Sequence, residues 1–497
     1  MFKKFKPTKH EVLIGILAVL LFFSTRLYNI MSLPIFTDEA IYTRWSQIAR
    51  FDANQRFISL TDGKQPLFVW IDMMIMRVSS DPLLAGRLTS VFAGFATMIG
   101  LFLLSKTLFN KKIGAIAVFL YIIFPFALVY DRMALYDSLV ATGAVWSLLF
   151  EVFLVKHKRL DLALILGMIL GASVLTKTSG FFFIYLLPFS LFLFKFKGKE
   201  KRDEFLKWGF LALVSIVFAY AYYSILRLSP FYYIINEKNT IFVYSFHDWL
   251  IHPFQFFPNN MQAFFDWFFV YSTPPFLVLI ALSILGKNRR EKLLLFSWFI
   301  VPLVALAVFG RTLYPRFILF MTMPMLVLAA YSLDNIMSKL KINKVIVVLS
   351  FVTSLLVSDY LIINNFARAP IPKADLTQYI NDWPAGGGAK EIVNYLDKES
   401  KKGKIYVASL GTFGSLPTYT VEIYLGDNRN VDKRGIYPVP TTIPQDLTEK
   451  AKKMPVFVFV SNQHEFEQSI KTWPIKLIVQ YKKGVGDSFS KLYKVEL

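Results

Sequence analysis

The chain is 497 residues long, 55% hydrophobic and 18% charged, with 50 Phe, 24 Tyr, no Cys and a formal net charge of +21 at pH 7; its mean hydropathy is +0.47. This composition excludes an ordinary soluble domain, and the lack of Cys excludes disulfides, thiolate metal sites and a Cys nucleophile. The basic residues fall in short runs at the ends of apolar segments without any nucleic-acid motif, so they point to membrane topology and anionic lipid, with no nucleic-acid partner.

A spanning helix needs roughly 20 apolar residues, and about eleven runs approach that length. They cover 12 to 31, 82 to 109, 113 to 130, 138 to 155, 160 to 176, 180 to 195, 208 to 228, 267 to 285, 293 to 310, 313 to 334 and 345 to 364. The fold class is therefore a polytopic α-helical membrane protein over residues 1–365. The first run follows Lys3, Lys4, Lys6 and Lys9 and has no small-residue cleavage site, so it reads as a retained helix. Further clusters stand at Lys106 to Lys112, Lys156 to Arg159, Lys195 to Lys207, Lys287 to Lys292 and Lys339 to Lys344, in every second gap between runs. Cytoplasmic loops hold the Lys and Arg excess, which places the N-terminus in the cytoplasm. The loop 32–81, the 130 to 137 loop, the 229 to 266 loop and the C-terminal region are then extracytoplasmic.

The first outer loop contains Thr37-Asp38-Glu39-Ala40-Ile41-Tyr42 and then Asp62-Gly63-Lys64-Gln65-Pro66-Leu67-Phe68. A charge at mid-membrane costs about 2.5 to 3.5 kcal/mol on the mildest scales, so charges beside lipid usually have a task. One reading is a catalytic carboxylate and a phosphate-binding cation at the membrane surface. The other is that Asp38 and Glu39 only open an amphipathic helix, with Ile41, Trp45, Ile48 and Ala49 on one side and Arg44, Gln47 and Arg50 on the other.

Later in the chain, Arg132 and Asp137 sit five residues apart in Tyr130-Asp131-Arg132-Met133-Ala134-Leu135-Tyr136-Asp137. That spacing is not one helical face, so their convergence requires a break in the helix; the alternative is an Arg-Asp pair at a helix end. Lys177, in Thr176-Lys177-Thr178-Ser179-Gly180, and Arg311 read as interfacial anchors. From Phe366 onward the spanning runs stop, and residues 366–497 read as a small soluble α/β domain. Strands are expected at 405 to 410, 421 to 425, 456 to 460, 475 to 479 and 492 to 495, with helices near 390 to 398 and 446 to 453. Gly386-Gly387-Gly388 lacks the Lys-Ser or Lys-Thr of a phosphate loop and reads as a turn before a helix.

Over residues 10 to 335 these features together resemble the membrane glycosyltransferases that use polyprenyl-phosphate sugars, the protein O-mannosyltransferase and aminoarabinose transferase superfamily of the C-type fold. The resemblance is carried by Asp38-Glu39 in a first outer loop and by Gly63-Lys64-Gln65-Pro66-Leu67, similar to the family's Gly-Lys-Pro-Pro-Leu. It is carried also by the Arg132 to Asp137 stretch between spans and by Tyr314-Pro315-Arg316-Phe317, similar to the family's Arg-Tyr before a late span. The number of apolar runs suits the protein O-mannosyltransferase branch. Gln65 replaces the family's usual first Pro, which is expected to loosen that turn.

The residue types suit that reaction on their own account. A hydroxyl attacking a sugar C1 attached to a polyprenyl phosphate needs a base for its proton and cations for the charge building on the leaving phosphate. A general acid is unnecessary, because phosphate leaves as an anion where a glycosidase must protonate an alkoxide. The expected roles are Asp38 as base, Glu39 as its positioning neighbour, Lys64, Arg132 and Arg316 as phosphate ligands, and Asp137 as an orienting partner. A divalent ion, Mg²⁺ or Mn²⁺, held by Asp38 and Asp137 is compatible with carboxylate chemistry. The expected partners are membrane lipid, a polyprenyl-phosphate sugar donor and an extracytoplasmic hydroxyl acceptor. The rival class is a transporter or flippase, for which charges at mid-depth and paired internal repeats are expected; the charges here gather on one side and no repeat is visible.

Overall fold

The computed structural model describes residues 8–194, 201–339, 343–411, 415–461 and 468–497. Lys3, Lys4, Lys6, Lys195, Lys197, Lys199 and Lys341 of the basic runs lie outside the described residues. Every apolar run is mainly helical where it is described. By length and composition, 7 helices among the described residues can cross a membrane: Lys9–Leu27, Pro82–Leu108, Asp137–His157, Lys201–Leu228, Arg289–Phe309, Pro315–Lys339 and Lys344–Asn364. Two bent pairs bring the count to 9, Lys111–Ile122 with Pro125–Asp131 at 62° and Phe257–Ser272 with Pro274–Leu282 at 103°. Leu160–Thr176 and Thr178–Leu193 are apolar but shorter. The difference from eleven thus lies in length and bending, since each expected run exists as helix.

Both bends have a covalent cause. Pro125 and Pro274 stand in the first turn of the second helix of each pair, where a missing N–H is harmless to the new helix but cannot continue the old one.

The chain divides into two compact units, one of residues 1–29, 57–68 and 88–372, the other of 30–56, 69–87 and 373–497. In the first, the helix Leu319–Lys339 is buried on every side from Leu319 through Leu333. A helix apolar all round belongs at the centre of a bundle or in lipid, and this one has the centre. Lys9–Leu27 is its opposite, with Leu13, Leu17 and Leu20 exposed along an apolar rim that suits lipid.

The second unit holds a five-stranded sheet in the order β2-β1-β3-β5-β4, with β1 Ile405–Leu410, β2 Val431–Ile436, β3 Val456–Ser461, β4 Ile475–Lys482 and β5 Phe489–Val495. β1 pairs in parallel with β2 and β3, and β5 pairs antiparallel with β3 and β4. The central β1 and β3 are buried along their whole length, as continuous apolar strands of a parallel sheet should be. Tyr406, Leu410, Val456, Val458, Val460 and Trp473 build one core with Leu447 of the helix Gln445–Ala451. The strand expected at 421 to 425 is instead the end of the helix Leu416–Leu425. Short apolar runs are ambiguous between helix and strand, and Pro417 in the first turn settles it for helix. β2, Val431-Asp432-Lys433-Arg434-Gly435-Ile436, was not expected because charge dominates it; it is an edge strand, where charge blocks further pairing. The Gly triplet does turn before a helix, Ala389–Ser400, with Gly388 at φ +81° as its N-cap.

Candidate active site

In the first unit, five separate segments gather around two phenylalanine rings. Lys64 Nζ lies 5.1 Å from the centroid of the Phe242 ring and Lys177 Nζ lies 4.2 Å from that of Phe317. The two rings are themselves 5.7 Å apart, edge to face. The Arg316 guanidinium stands 4.8 Å from the Tyr314 ring and 5.7 Å from the Phe317 ring. Lys177 donates to Asp137 Oδ1 at 2.7 Å, and Asp137 is buried at the first position of its helix. Aromatic faces attract cations without cancelling their charge. Three cations from separate segments, with Asp137 held against one of them, are thereby brought to one end of the bundle.

Local sequence explains how Lys64 comes to be held. Gly63 adopts φ +64° and a Cβ there would lie 2.6 Å from Lys238 Cβ, so only glycine suits both the backbone and the space. Lys238 in turn donates to Asp62 at 2.5 Å. Gln65, expected to loosen the turn, ties it: its side-chain amide donates to Thr178 Oγ1 at 2.8 Å, and Thr178 donates to Asn239 at 3.2 Å. Proline in its place has no such donor.

Arg132 has different partners. Its Nη1 and Nη2 donate to the backbone carbonyls of Thr25, Arg26, Tyr28 and Asn29 at 2.7 to 3.3 Å. The four last carbonyls of a helix lack intrahelical partners, and Arg132 supplies donors to two of them, Thr25 and Arg26, in the helix Lys9–Leu27 and to Tyr28 and Asn29 just beyond it. Next to it, buried Arg26 pairs with Asp131 at 3.4 Å and donates to the carbonyls of Tyr121 and Ile122. Asp131 also accepts from the Tyr121 hydroxyl at 3.0 Å and the Ser138 hydroxyl at 2.9 Å. Through these contacts Arg132 clamps a helix end, Asp137 meets Lys177 of the cation cluster, and the helix break expected between them exists.

In the second unit, Asp38 is half-buried in the first turn of the helix Thr37–Phe51. The start of that helix is fixed by Thr37, whose N–H and hydroxyl both donate to Pro384 O, at 3.0 and 2.9 Å. Glu39, expected beside the base, is fully buried: it receives two bonds from Arg87 at 2.9 Å each and one from the Phe36 N–H at 3.0 Å. Arg87 also donates to the Ile30 and Pro34 carbonyls. That is an anchoring set, with Glu39 holding the helix start as a capping carboxylate does.

Among the described residues no three His, Asp or Glu side chains gather as metal ligands. The donor set considered for a divalent ion does not fit one, because the Asp137 carboxylate already faces the Lys177 ammonium. Lys177 is the residue that sequence reading missed. Its signal was the helix break in Thr176-Lys177-Thr178-Ser179-Gly180 on the same side as Asp137, and without the Asp137 contact it looked like any interfacial lysine.

The fold is that of the C-type membrane glycosyltransferases. Residues 63–223 match the family model of dolichyl-phosphate-mannose-protein mannosyltransferase. Among solved structures the chain is similar to ArnT from Cupriavidus metallidurans bound to undecaprenyl phosphate, at 13% identity and a TM-score of 0.57, covering 98% of each chain. The apo state of that protein matches at 12% identity and 0.56, over 97% of each. The apo oligosaccharyltransferase of Archaeoglobus fulgidus matches at 13% identity and 0.52, over 96% of this chain and 74% of that one. Among curated proteins none matches by sequence.

Proposed function

We propose that the chain is an integral-membrane glycosyltransferase that moves a sugar from a polyprenyl-phosphate donor to a hydroxyl of an extracytoplasmic acceptor. The observation that carries this reading is the convergence of Lys64, Lys177 and Arg316 on aromatic rings at one end of the helical unit. Three cations suit a phosphate whose charge grows as the bond to sugar C1 breaks. In the reaction the acceptor oxygen bonds to C1, the C1–O bond breaks with its electron pair going to the phosphate oxygen, and Asp38 takes the acceptor proton. Asp137 holds the Lys177 ammonium in place. Arg132 and Glu39 keep the helix ends in register.

The match to mannosyltransferases and the bound undecaprenyl phosphate of the ArnT structure support the donor class. The charges nearest the first helix argue against a transport path, because Arg26, Asp131 and Arg132 are closed on one another and on backbone carbonyls. The test is release of polyprenyl phosphate from a labelled polyprenyl-phosphate sugar by purified protein. Asp38→Asn keeps the shape but accepts no proton, so release should fall to background with the melting temperature unchanged; turnover near wild type would remove Asp38 as base.

The proposal places the N-terminus in the cytoplasm and residues 366–497 outside. In this Cys-free chain, Lys401→Cys should react with an impermeant maleimide on intact cells and Lys287→Cys should not. The reverse labelling would invert the arrangement.

A further inference from the structure

A cavity of about 300 Å³ lies in the helical unit and is lined by Tyr244, Asp248, Trp249, His252, Phe256 and Arg311 among others. Its volume is at the lower end of the roughly 300 to 1,000 Å³ usual for small-molecule sites. Two walls are fixed by backbone. Residues 242–244 pair antiparallel with 309–311, the Tyr244 N–H donating to Phe309 O and the Arg311 N–H to Phe242 O, each at 2.8 Å. Asn260 braces the same bridge through the carbonyls of Ala307 and Gly310. The bridge also presents Phe242 to Lys64, so the cavity and the cation cluster share one piece of scaffold.

The lining has a definite chemistry. Tyr244 stacks on Phe256 at 5.1 Å, and Trp249 packs against Phe246 and Phe309. The lining also holds one carboxylate, one imidazole and one guanidinium, the Arg311 guanidinium lying 5.6 Å from the Tyr244 ring centroid. Hydrogen bonds from the Ser245 hydroxyl and N–H hold the Asp248 carboxyl below the usual carboxylate range, so it is an acceptor near neutral pH. A phosphate or other anion would be repelled by Asp248, and a cation by Arg311. Apolar ring faces beside mixed donors and acceptors suit a neutral amphipathic ligand with C–H faces and equatorial hydroxyls, which is a sugar ring.

We propose that this cavity is a saccharide-binding subsite, built from Trp249, Tyr244, Asp248 and Arg311. Its role as the seat of an acceptor glycan rests on the transferase reading, but its binding chemistry does not. Nothing in it duplicates the cation cluster, whose ligand is the phosphate.

The experiment is saturation-transfer NMR on the full chain in a detergent without a sugar headgroup. The probes are methyl glycosides of glucose, galactose, mannose and N-acetylglucosamine. Wild type should transfer saturation to the ring protons of at least one glycoside. Trp249→Leu and Arg311→Met should each reduce that signal about fivefold or more, while Trp249→Phe, which keeps a ring, should retain most of it. Release of polyprenyl phosphate from the donor alone should stay within about twofold in these variants, since none touches the phosphate seat. No transfer to any probe, or equal signals in wild type and Trp249→Leu, would overturn the subsite. Absence of donor release from wild type would sink the transferase reading instead, and the saturation data would still decide the cavity.

Discussion

Two charged regions of the helical unit look alike in sequence and differ in structure. Around Arg26, Asp131 and Arg132, each cation meets backbone carbonyls or a buried carboxylate, and the partners are the ends of neighbouring helices. Around Lys64, Lys177 and Arg316, the cations rest on aromatic rings contributed by separate segments, with one carboxylate among them. The first arrangement ties up helix ends; the second seats its cations on aromatic rings at one end of the bundle. Charge beside lipid can therefore serve either to hold helix ends or to build a cluster from separate segments, and only the partners tell which. Both regions would be singled out by the cost of charge in a membrane.

The comparison breaks most visibly if Arg26 can be spared. Arg26→Met leaves Asp131 buried without its cation, which typically costs about 3 to 5 kcal/mol. The folded protein should be lost or its melting temperature should fall sharply in detergent, whatever the activity per folded molecule. Lys177→Met should act chiefly on turnover. Asp137 also loses a cation, but Lys177 is a quarter exposed where Arg26 is fully buried, so the melting temperature should fall much less than in Arg26→Met, while donor turnover falls about 100-fold, the scale of losing one preorganised charge in a transition state. Turnover against donor concentration, with a melting curve on the same sample, separates the two. A stable, inactive Arg26→Met or an unstable Lys177→Met would erase the distinction.

How much of this was legible follows the same physics. The runs around 82 to 109, 138 to 155 and 313 to 334 announce themselves, because a long apolar helix has no other home than a membrane or a bundle centre. Lys64, Asp137 and Arg316 were readable as polar groups flanking such runs. The carbonyl contacts of Arg132 were not legible, because a helix C-terminus needs donors from elsewhere in the chain and nothing in the local sequence says which arginine will supply them. The ion pair of Glu39 was hidden for a related reason: its partner Arg87 is 48 residues away. β2 was missed because its hydrogen bonds come from β1, while its own residues are mostly charged or glycine.

A buried cation whose partners are neutral extends the comparison to the C-terminal domain. Lys483 is fully buried and donates to Ser461 Oγ at 2.6 Å and Trp383 O at 3.1 Å. Burial pushes its ammonium down from the usual lysine range to about 7, against the opposing pull of Asp382. A folded-state pKa below the unfolded value means that the unfolded chain binds the extra proton between about pH 7 and 10.5. Stability should therefore rise with pH through that window, by up to about 1.4 kcal/mol per unit, with the penalty complete below pH 7. Melting of the full chain at pH 7, 8 and 9 should show the rise, and Lys483→Met should flatten it. A slope unchanged in the variant would assign the pH dependence elsewhere.

The smallest effect belongs to Glu151, which lies in the helix Asp137–His157, 1% exposed, with no hydrogen-bond partner for either carboxylate oxygen among the described residues. It is neither a clamp like Arg26 nor part of a cluster like Lys177. An unsatisfied buried polar group costs about 1 to 3 kcal/mol, and a leucine of similar bulk removes that cost at the expense of imperfect packing. Glu151→Leu should raise the melting temperature slightly, by the equivalent of about 1 kcal/mol, with donor turnover within about twofold of wild type. Glu151→Gln should change neither. These two variants carry more weight than their size suggests, because a transporter would have a use for a lone titratable carboxyl deep in a span. If Glu151→Gln abolished activity while the fold held, the carboxyl would be handling protons, and the path through the bundle that the closed Arg26, Asp131 and Arg132 contacts argue against would have to be sought along the Asp137–His157 helix instead.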